Sequence, residues 1–425
     1  MVALLAVAAA AQQTILNPSL ERARAALARG DLAETERSLA AVDSDAVDIN
    51  DLDFLKGTLA AAKRDYDQAI LYFRRLLDRD SSLNRVRLDL ARVYFEKGDD
   101  AAAEFHFRAA LAQGVPAEVQ PKIFSYLDQI RRRKKLDIAV SITLAPDTNI
   151  NAATTAQSVN LFGLPFELDP AARRKSGTGL ALGVAATRQW DVADDVKFKA
   201  GASYYGMEYA DSDFSDRTVN ALAGYRVIAK QGTEYSILAI GSRRWYGDKP
   251  LDYAYGARTE GQTELSPRVL LGGNLSVQHF EYRSPAFDGY TGPVYAGSTS
   301  LAYVLDAVSL LRGNLGAAYE RADMRALRNT QLFAGAGYYR EGLPQAFALH
   351  ADIQLTRIKY RAALPAFGVV RHDTEVNYRL GVSNKRIDIA GFTPVISWVH
   401  TDRYSNIGLY RFHRDRGEIG IVRNF

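Results

Sequence analysis

A chain of 425 residues has room for more than one domain at about 150 residues each, and its 53 Lys and Arg against 49 Asp and Glu leave a formal charge of +4. So close a balance gives no footing for nucleic acid as the main partner, while a pI of about 9.0 suits an anionic lipid surface or plain solubility. Cysteine is absent, which removes disulfides, thiolate metal ligands and cysteine nucleophiles and suits an exported protein that crosses an oxidising compartment.

The first residues, Met1 to Ala11, have the apolar middle and small-residue end of a secretory signal without its basic start, and are expected to be a signal remnant. From about residue 17 to 114 the chain repeats every 34 residues. Gly30-Asp31, Arg64-Asp65 and Gly98-Asp99 stand in phase, as do Ala23, Gly57 and Ala91, and Leu39, Phe73 and Phe107. That period is the tetratricopeptide spacing, in which small residues let paired helices approach and the larger ones fill the space between units. Pro116 opens a further helix ending in the basic run Arg131 to Lys135, expected to cap the repeats on the solvent side.

After Leu136 the helical period disappears and hydrophobicity alternates at every second residue. Phe347, Leu349, Ala351, Ile353 and Leu355 fall on one face, and His350, Asp352, Gln354 and Thr356 on the other. No apolar run approaches the ~18 residues of a membrane-spanning helix. With 23 Tyr, 18 Phe and 32 Gly, the composition instead suits barrel strands with their apolar face turned to lipid. Strands are expected near 136–146, 176–190, 195–209, 217–229, 233–246, 252–264, 267–283, 292–304, 308–321, 328–340, 345–359, 370–383, 386–401 and 415–425. Every second connection is tight (Asp191 to Asp194, Lys230 to Gly232, Ser266, Asp306, Glu341 to Pro344, Asn384-Lys385). The intervening ones, notably 147–175, 284–291, 361–369 and 402–414, are expected to be longer. Short periplasmic turns alternating with longer external loops is the outer-membrane pattern. The predicted fold is therefore α+β and multidomain: a remnant at 1–11, an N-terminal α-helical tetratricopeptide-repeat solenoid with its cap at 12–135, and a transmembrane antiparallel β-barrel of about 14 strands at 136–425.

Reactive chemistry is not expected. The six histidines are dispersed, with no metal-ligand spacing. Gly177, Gly179 and Gly183 imitate a phosphate loop but open a strand, so they read as barrel-wall glycines and no cofactor is implied. The chain is expected not to be an enzyme. For partner binding the candidate is the groove on the first helices of the repeats, where the phase places Arg24, Thr58 and Arg92 together with Phe54, Phe95 and Glu96. Basic and aromatic side chains so mixed can hold an extended or acidic peptide, with repeat packing as the other reading of the two phenylalanines.

Two segments add a resemblance. They are Ala145-Pro146-Asp147-Thr148-Asn149-Ile150-Asn151, and the closing stretch Arg403-Tyr404-Ser405-Asn406-Ile407, Tyr410, Arg414 to Ile421 and Phe425. With repeats placed before a barrel, they resemble the surface lipoprotein assembly modulator (Slam) family over essentially the whole mature chain. The positions matching its motifs are Pro146, Asp147, Asn149, Asn151, Asn406, Tyr410, Arg416 and Phe425. The resemblance implies an outer-membrane translocator of a client lipoprotein or small secreted protein, with the repeats in the periplasm and the barrel-assembly machinery as a partner in biogenesis. Outer-membrane lipid is the surrounding partner, and no nucleic acid is expected. A porin-like uptake pore whose repeats dock a partner is the alternative, and a barrel that only displays loops is a third. Independently of any family, Pro146 would stop strand pairing, Asp147 and Asn149 would bond their own backbone in the turn, and Arg414, Asp415, Arg416 and Glu418 would suit a rim or a lumen ion network.

Overall fold

The computed structural model describes residues 17–43, 47–116, 118–133, 135–169, 172–229, 232–306, 308–384, 386–387 and 389–424. The signal remnant at 1–11, Lys134, the Lys230-Gln231 turn, Lys385 and the terminal Phe425 lie outside them. The chain divides into two compact units after Pro116.

Among the described residues the first unit holds six helices, α1 (Pro18–Ala28), α2 (Leu32–Ala40), α3 (Ile49–Ala62), α4 (Tyr66–Arg79), α5 (Asn84–Lys97) and α6 (Asp100–Gln113). The 34-residue period explains their pairing. Asp31, Asp65 and Asp99 each cap the second helix of a pair, accepting from the backbone N–H of Glu34 (3.0 Å), Gln68 (3.2 Å) and Ala102 (3.1 Å). Such a cap satisfies one of the amides a helix start leaves unpaired. The residue before each cap turns left-handed, at φ +78° for Gly30, +62° for Arg64 and +88° for Gly98. Arg64 stands where glycine serves in the other two turns, and a Cβ in that conformation costs roughly 1–2 kcal/mol. Arg64→Gly is therefore expected to stabilise the repeats by about 1 kcal/mol after glycine's greater chain entropy is subtracted. A helical circular-dichroism melt that moves down in temperature would contradict this.

The in-phase small and large residues form the core. Ala23 and Ala91 are fully buried, and Leu39, Phe73 and Phe107 are almost so. Gly57 is required by the ring it meets, because a Cβ there would lie 2.8 Å from Cε1 of Phe73.

The second unit contains α7 (Gln120–Arg133) and a closed antiparallel barrel of 14 strands. The barrel strands are β1 (Leu136–Asp147), β4 (Gly177–Ala193), β5 (Val196–Tyr209), β6 (Asp216–Ile228), β7 (Glu234–Tyr246), β8 (Lys249–Ser266) and β9 (Val269–Tyr282). They continue as β10 (Gly292–Asp306), β11 (Ser309–Glu320), β12 (Asn329–Leu343), β13 (Phe347–Leu364), β14 (Val369–Asn384), β15 (Thr393–Ser405) and β16 (Phe412–Asn424). Each strand pairs with its successor, and β1 closes the cylinder by pairing with both β4 and β16. A small hairpin, β2 (Ser158–Leu161) with β3 (Leu164–Glu167), sits in the connection after β1.

Period-two alternation turns one face of each strand outward. Leu180, Ile237, Leu275, Leu315, Leu332 and Ile419 are each more than half exposed on that wall, as an apolar band facing lipid requires. Aromatic residues mark its two edges. Trp190, Phe198 and Tyr225 touch in sequence near the short turns, with ring centroids 5.8 and 5.6 Å apart. Tyr255, Tyr295 and Tyr404 stand exposed toward the other end. The inward face is polar, as in Lys199–Glu260 (2.8 Å), Arg312–Asp352 (3.1 Å) and Arg379–Glu418 (2.6 Å).

Three expectations change. The helix ending at Arg133 belongs with the barrel unit and not with the repeats, because its basic end finds carboxylates on the barrel. Arg131, 8% exposed, pairs with Glu264 at 2.8 Å, and Arg132 pairs with Asp195 at 2.7 Å. Arg131 is thus buried in its ion pair, whereas Arg132 pairs at an exposed surface. The loop expected over 361–369 shrinks to residues 365–368 because β13 and β14 extend past a bulge between Lys359 and Ala363. The tight turn expected at Asn384-Lys385 instead becomes a connection reaching Phe392. There Ala390 and Gly391 take positive φ and an isolated bridge joins Ile389 to Phe392, so β15 starts later than expected. The connection at 247–248 is also short, so tight and long connections alternate less cleanly than the sequence suggests.

Candidate functional site

The groove residues are positioned by α1, α3 and α5, the first helices of the three repeats. Arg24 on α1 reaches Asp51 on α3 at 2.8 Å and Glu21 at 3.4 Å. Phe54 on α3 is half-buried, with its ring 6.1 Å from that of Phe73 on one side and the Arg85 guanidinium 5.3 Å from its centroid on the other. It therefore serves packing and surface together. Thr58 is spent locally, donating to the carbonyl of Phe54 at 2.8 Å. Arg92 is exposed and lies between Asp89 (3.9 Å) and Glu96 (3.7 Å), while Phe95 is half-buried. Burial pushes the Asp89 carboxyl above its ordinary range, against the pull of Arg92 and Arg85. Neighbouring helices thus present an arginine–carboxylate row flanked by half-covered rings, and exposed pairs of this kind are weak enough to be exchanged for a ligand's charges.

Residues of the two motif segments, the one ending β1 and the closing one, converge at the loop end of the barrel. Asp147, the last residue of β1, is fully buried in its side chain and is gripped by Arg414 of β16, whose Nε donates to its two oxygens at 3.0 and 2.8 Å. Tyr209 adds its hydroxyl at 3.2 Å. The other oxygen-side partner is local, as expected, since the backbone N–H of Asn149 donates to Asp147 Oδ1 at 2.8 Å. Asn149, also fully buried, accepts from the Ala153 N–H (3.0 Å) and donates to the carbonyls of Ala153 (2.9 Å) and His413 (3.1 Å). Thr148 and Asp415 exchange hydrogen bonds of 3.0 and 2.9 Å. Sequence positions more than 260 apart are therefore stitched together across the meeting of the first and last strands.

The remaining motif positions anchor the surrounding loops. Asn151 closes the base of the long connection, bonding the Arg173 carbonyl (2.8 Å) and the Lys175 N–H (3.1 Å). Asn406 pins the loop after β15 to β14 through the His372 N–H and the Val370 carbonyl, both at 2.9 Å. Tyr410 lies under the Arg371 guanidinium, 3.4 Å from its centroid, and Arg371 is itself bound by Asp373 at 2.6 Å. Arg416 faces the lumen and meets Glu418 at 2.9 Å. Pro146 points outward against Gly417, where a Cβ would sit 3.3 Å from the proline ring. Phe425 lies outside the described residues.

Sequence reasoning missed Tyr209, whose partners Asp147 and Arg414 are distant in the chain, and the Arg371–Asp373 pair, two residues apart on β14, whose tie to Tyr410 is distant. It also missed the β2–β3 hairpin, although Phe162-Gly163 at φ +52° and +82° makes the two-residue turn such hairpins use. Phenylalanine at the first position concealed it. Below the mouth the lumen holds a cavity of about 900 Å³ lined by, among others, Arg312, Asp352, Glu375, Arg403, Arg414 and Arg416. Among the described residues no group of His, Asp and Glu has the arrangement of a metal site.

Residues 137–425 match the family described as surface lipoprotein assembly modifier, and residues 45–107 match the N-terminal TPR repeats of the same family. The chain belongs to that family. Surface lipoprotein assembly modifier 1 of Neisseria meningitidis serogroup B is 22% identical to it over 387 residues, spanning 88% of this chain and 75% of the relative. Surface lipoprotein assembly modifier 2 of Haemophilus influenzae is 22% identical over 387 residues, with 88% and 77% covered. The Pasteurella multocida surface lipoprotein assembly modifier is 20% identical over 399 residues, with 88% and 76% covered. Together with the lipid-facing band and closed sheet, membership makes this an outer-membrane β-barrel protein with a repeat domain ahead of the barrel. The motif positions singled out in the sequence are, among the described residues, chiefly ones that tie the barrel's first and last strands together and hold the loops at the end of the longer connections.

Proposed function

We propose that this protein moves a client lipoprotein, or a small secreted protein, across the outer membrane, and that it does so without catalysing a reaction. The observation that carries this reading is the match to one family across both parts of the chain in the same order, repeats then barrel, since that family is described by its work on surface lipoproteins. In this reading the repeats lie in the periplasm, on the side of the short turns where β1 begins and β16 ends. They receive the client as an extended, partly acidic segment along Arg24, Phe54, Arg92, Phe95 and Glu96, exchanging the exposed pairs to Asp51 and Asp89 for client carboxylates. Outer-membrane lipid surrounds the barrel, and the barrel-assembly machinery inserts it.

Co-expression in a laboratory bacterium with a lipoprotein encoded beside this gene tests the reading, by scoring protease-accessible client on intact cells. Exposure is expected to rise at least tenfold over cells lacking the protein. The pair Arg24→Glu and Arg92→Glu is expected to cut that gain severalfold while leaving the helical circular-dichroism signal unchanged. No gain in exposure, accompanied by steady ion conductance in planar bilayers, would replace the translocator with a pore for small solutes.

A further inference from the structure

Resting on the translocator reading, we infer that the seam between β1 and β16 is a lateral exit for the acyl chains of a lipidated client, latched at its outer end by Asp147 and Arg414. The closed sheet has one weak line. Among the described residues the ladder between β1 and β16 is the shortest in the barrel. It runs from Ala139 opposite Asn424 to Leu144 opposite Ile419, and resumes only at Asp147 opposite Arg416. Pro146 lies in the gap and has no N–H to give a partner strand, and Gly417 opposite it brings no side chain to hold it.

The surfaces on either side of this line suit an acyl chain. Outside, Ile142, Leu144 and Ile419 are exposed on the lipid-facing wall. Inside, Ala145, Ile150, Ala181, Met207 and Tyr209 form an apolar cluster beside the latch. Gly177 and Gly179 of β4 leave the room that Ile150, Met207 and Tyr209 fill in this cluster, since a Cβ at Gly179 would lie 2.6 Å from the Met207 sulfur. The far wall is a field of ion pairs, with Glu375 held by Arg403 at 2.8 Å and Glu418 shared by Arg379 and Arg416. Hydrocarbon offers these charges no hydrogen bond in exchange for the water it displaces, whereas the amides and polar side chains of a polypeptide do. A lipidated client therefore sends its chain through the polar lumen and its acyl groups through the seam, which opens when the Asp147–Arg414 pair gives way.

The protein has no cysteine, so a disulfide placed across the seam is the sole thiol bridge. Ser141→Cys with Val422→Cys joins directly opposed residues of β1 and β16, and Ile142→Cys with Ile421→Cys does so on the other face. Asn274→Cys with Ser298→Cys bridges β9 and β10 as a control. The full-length variants are oxidised in cells, and client exposure is scored before and after reductant. Each client is tested with its acylated cysteine and with that cysteine replaced, so that it carries no lipid.

With the seam bridged, exposure of the lipidated client is expected to fall at least tenfold and to return on reduction, while the unlipidated client still reaches the medium. The control bridge is expected to change neither. Unchanged exposure of the lipidated client through a bridged seam overturns the inference, and so does an equal block of both clients, which would make the seam a route for polypeptide. Absence of any gain with the unmodified protein would instead remove the translocator reading beneath it.

Discussion

Replacing Arg414 by alanine is expected to lower the thermal stability of the folded barrel by about 3 kcal/mol. Asp147 has a fully buried side chain, and its principal countercharge is the Arg414 guanidinium at 2.8 Å. Removing one member of a buried pair leaves a charge without compensation, which typically costs about 3–5 kcal/mol. The low end applies here because Tyr209 and the Asn149 N–H still donate to the carboxylate. The test is the temperature at which the compact, fast-migrating form in detergent gels converts to the unfolded form. The double variant Asp147→Asn with Arg414→Gln removes both charges and is expected to recover most of the loss. If the single and double variants melt alike, the pair has no coupling and is not a latch.

Phe73→Ala is expected to be still more damaging to the other unit. The ring is 1% exposed and lies over Gly57, so truncation leaves a cavity that the glycine cannot refill. Losses of about 3–5 kcal/mol are typical of such sites, against a whole-domain stability of about 5–15 kcal/mol. The repeat unit should lose much of its helical signal at 37 °C and become readily cut by trypsin, while the barrel keeps its compact gel form. Because client capture is placed on these repeats, client exposure should fall with it. A Phe73→Ala protein that retains a wild-type helical melt would show that the 34-residue core packing has been misjudged.

How much of this was legible in the residues differed between the two units. The helical repeats were readable because each turn uses the same chemistry, a left-handed residue followed by a capping aspartate, and because Ala23, Gly57 and Ala91 must be small where helices cross. The barrel was readable because a strand that meets lipid on one side and a charged lumen on the other has to alternate. Turn lengths were less so. Bulged strands such as β13 keep pairing through residues that look like loop, and polar residues on a rim serve strand and loop equally well. The external mouth was half visible. Asp147 and Asn149 announced an Asx-type turn, and the sign alternation from Arg414 onward announced an ion network, but nothing local says that the two meet. The destination of the basic end of α7 was hidden for the same reason, since Glu264 is 133 residues away from Arg131.

The still longer separation between β1 and β16 bears on how the barrel comes into being. Twelve of the strand-to-strand seams join neighbours along the chain, and β1 with β4 spans one small hairpin, so each can zip locally. The last seam joins residues 267 apart, Asp147 and Arg414. Closing a loop of that length is an entropic debt that no early contact offsets, and β16 arrives last. Until then the sheet is an open ribbon with two bare edges in the lipid, a state whose unpaired amides and carbonyls are costly there. The buried ion pair at the top of the seam is thus also the final contact to form in biogenesis, and a defect in it should leave protein inserted and stalled as an unclosed sheet prone to degradation.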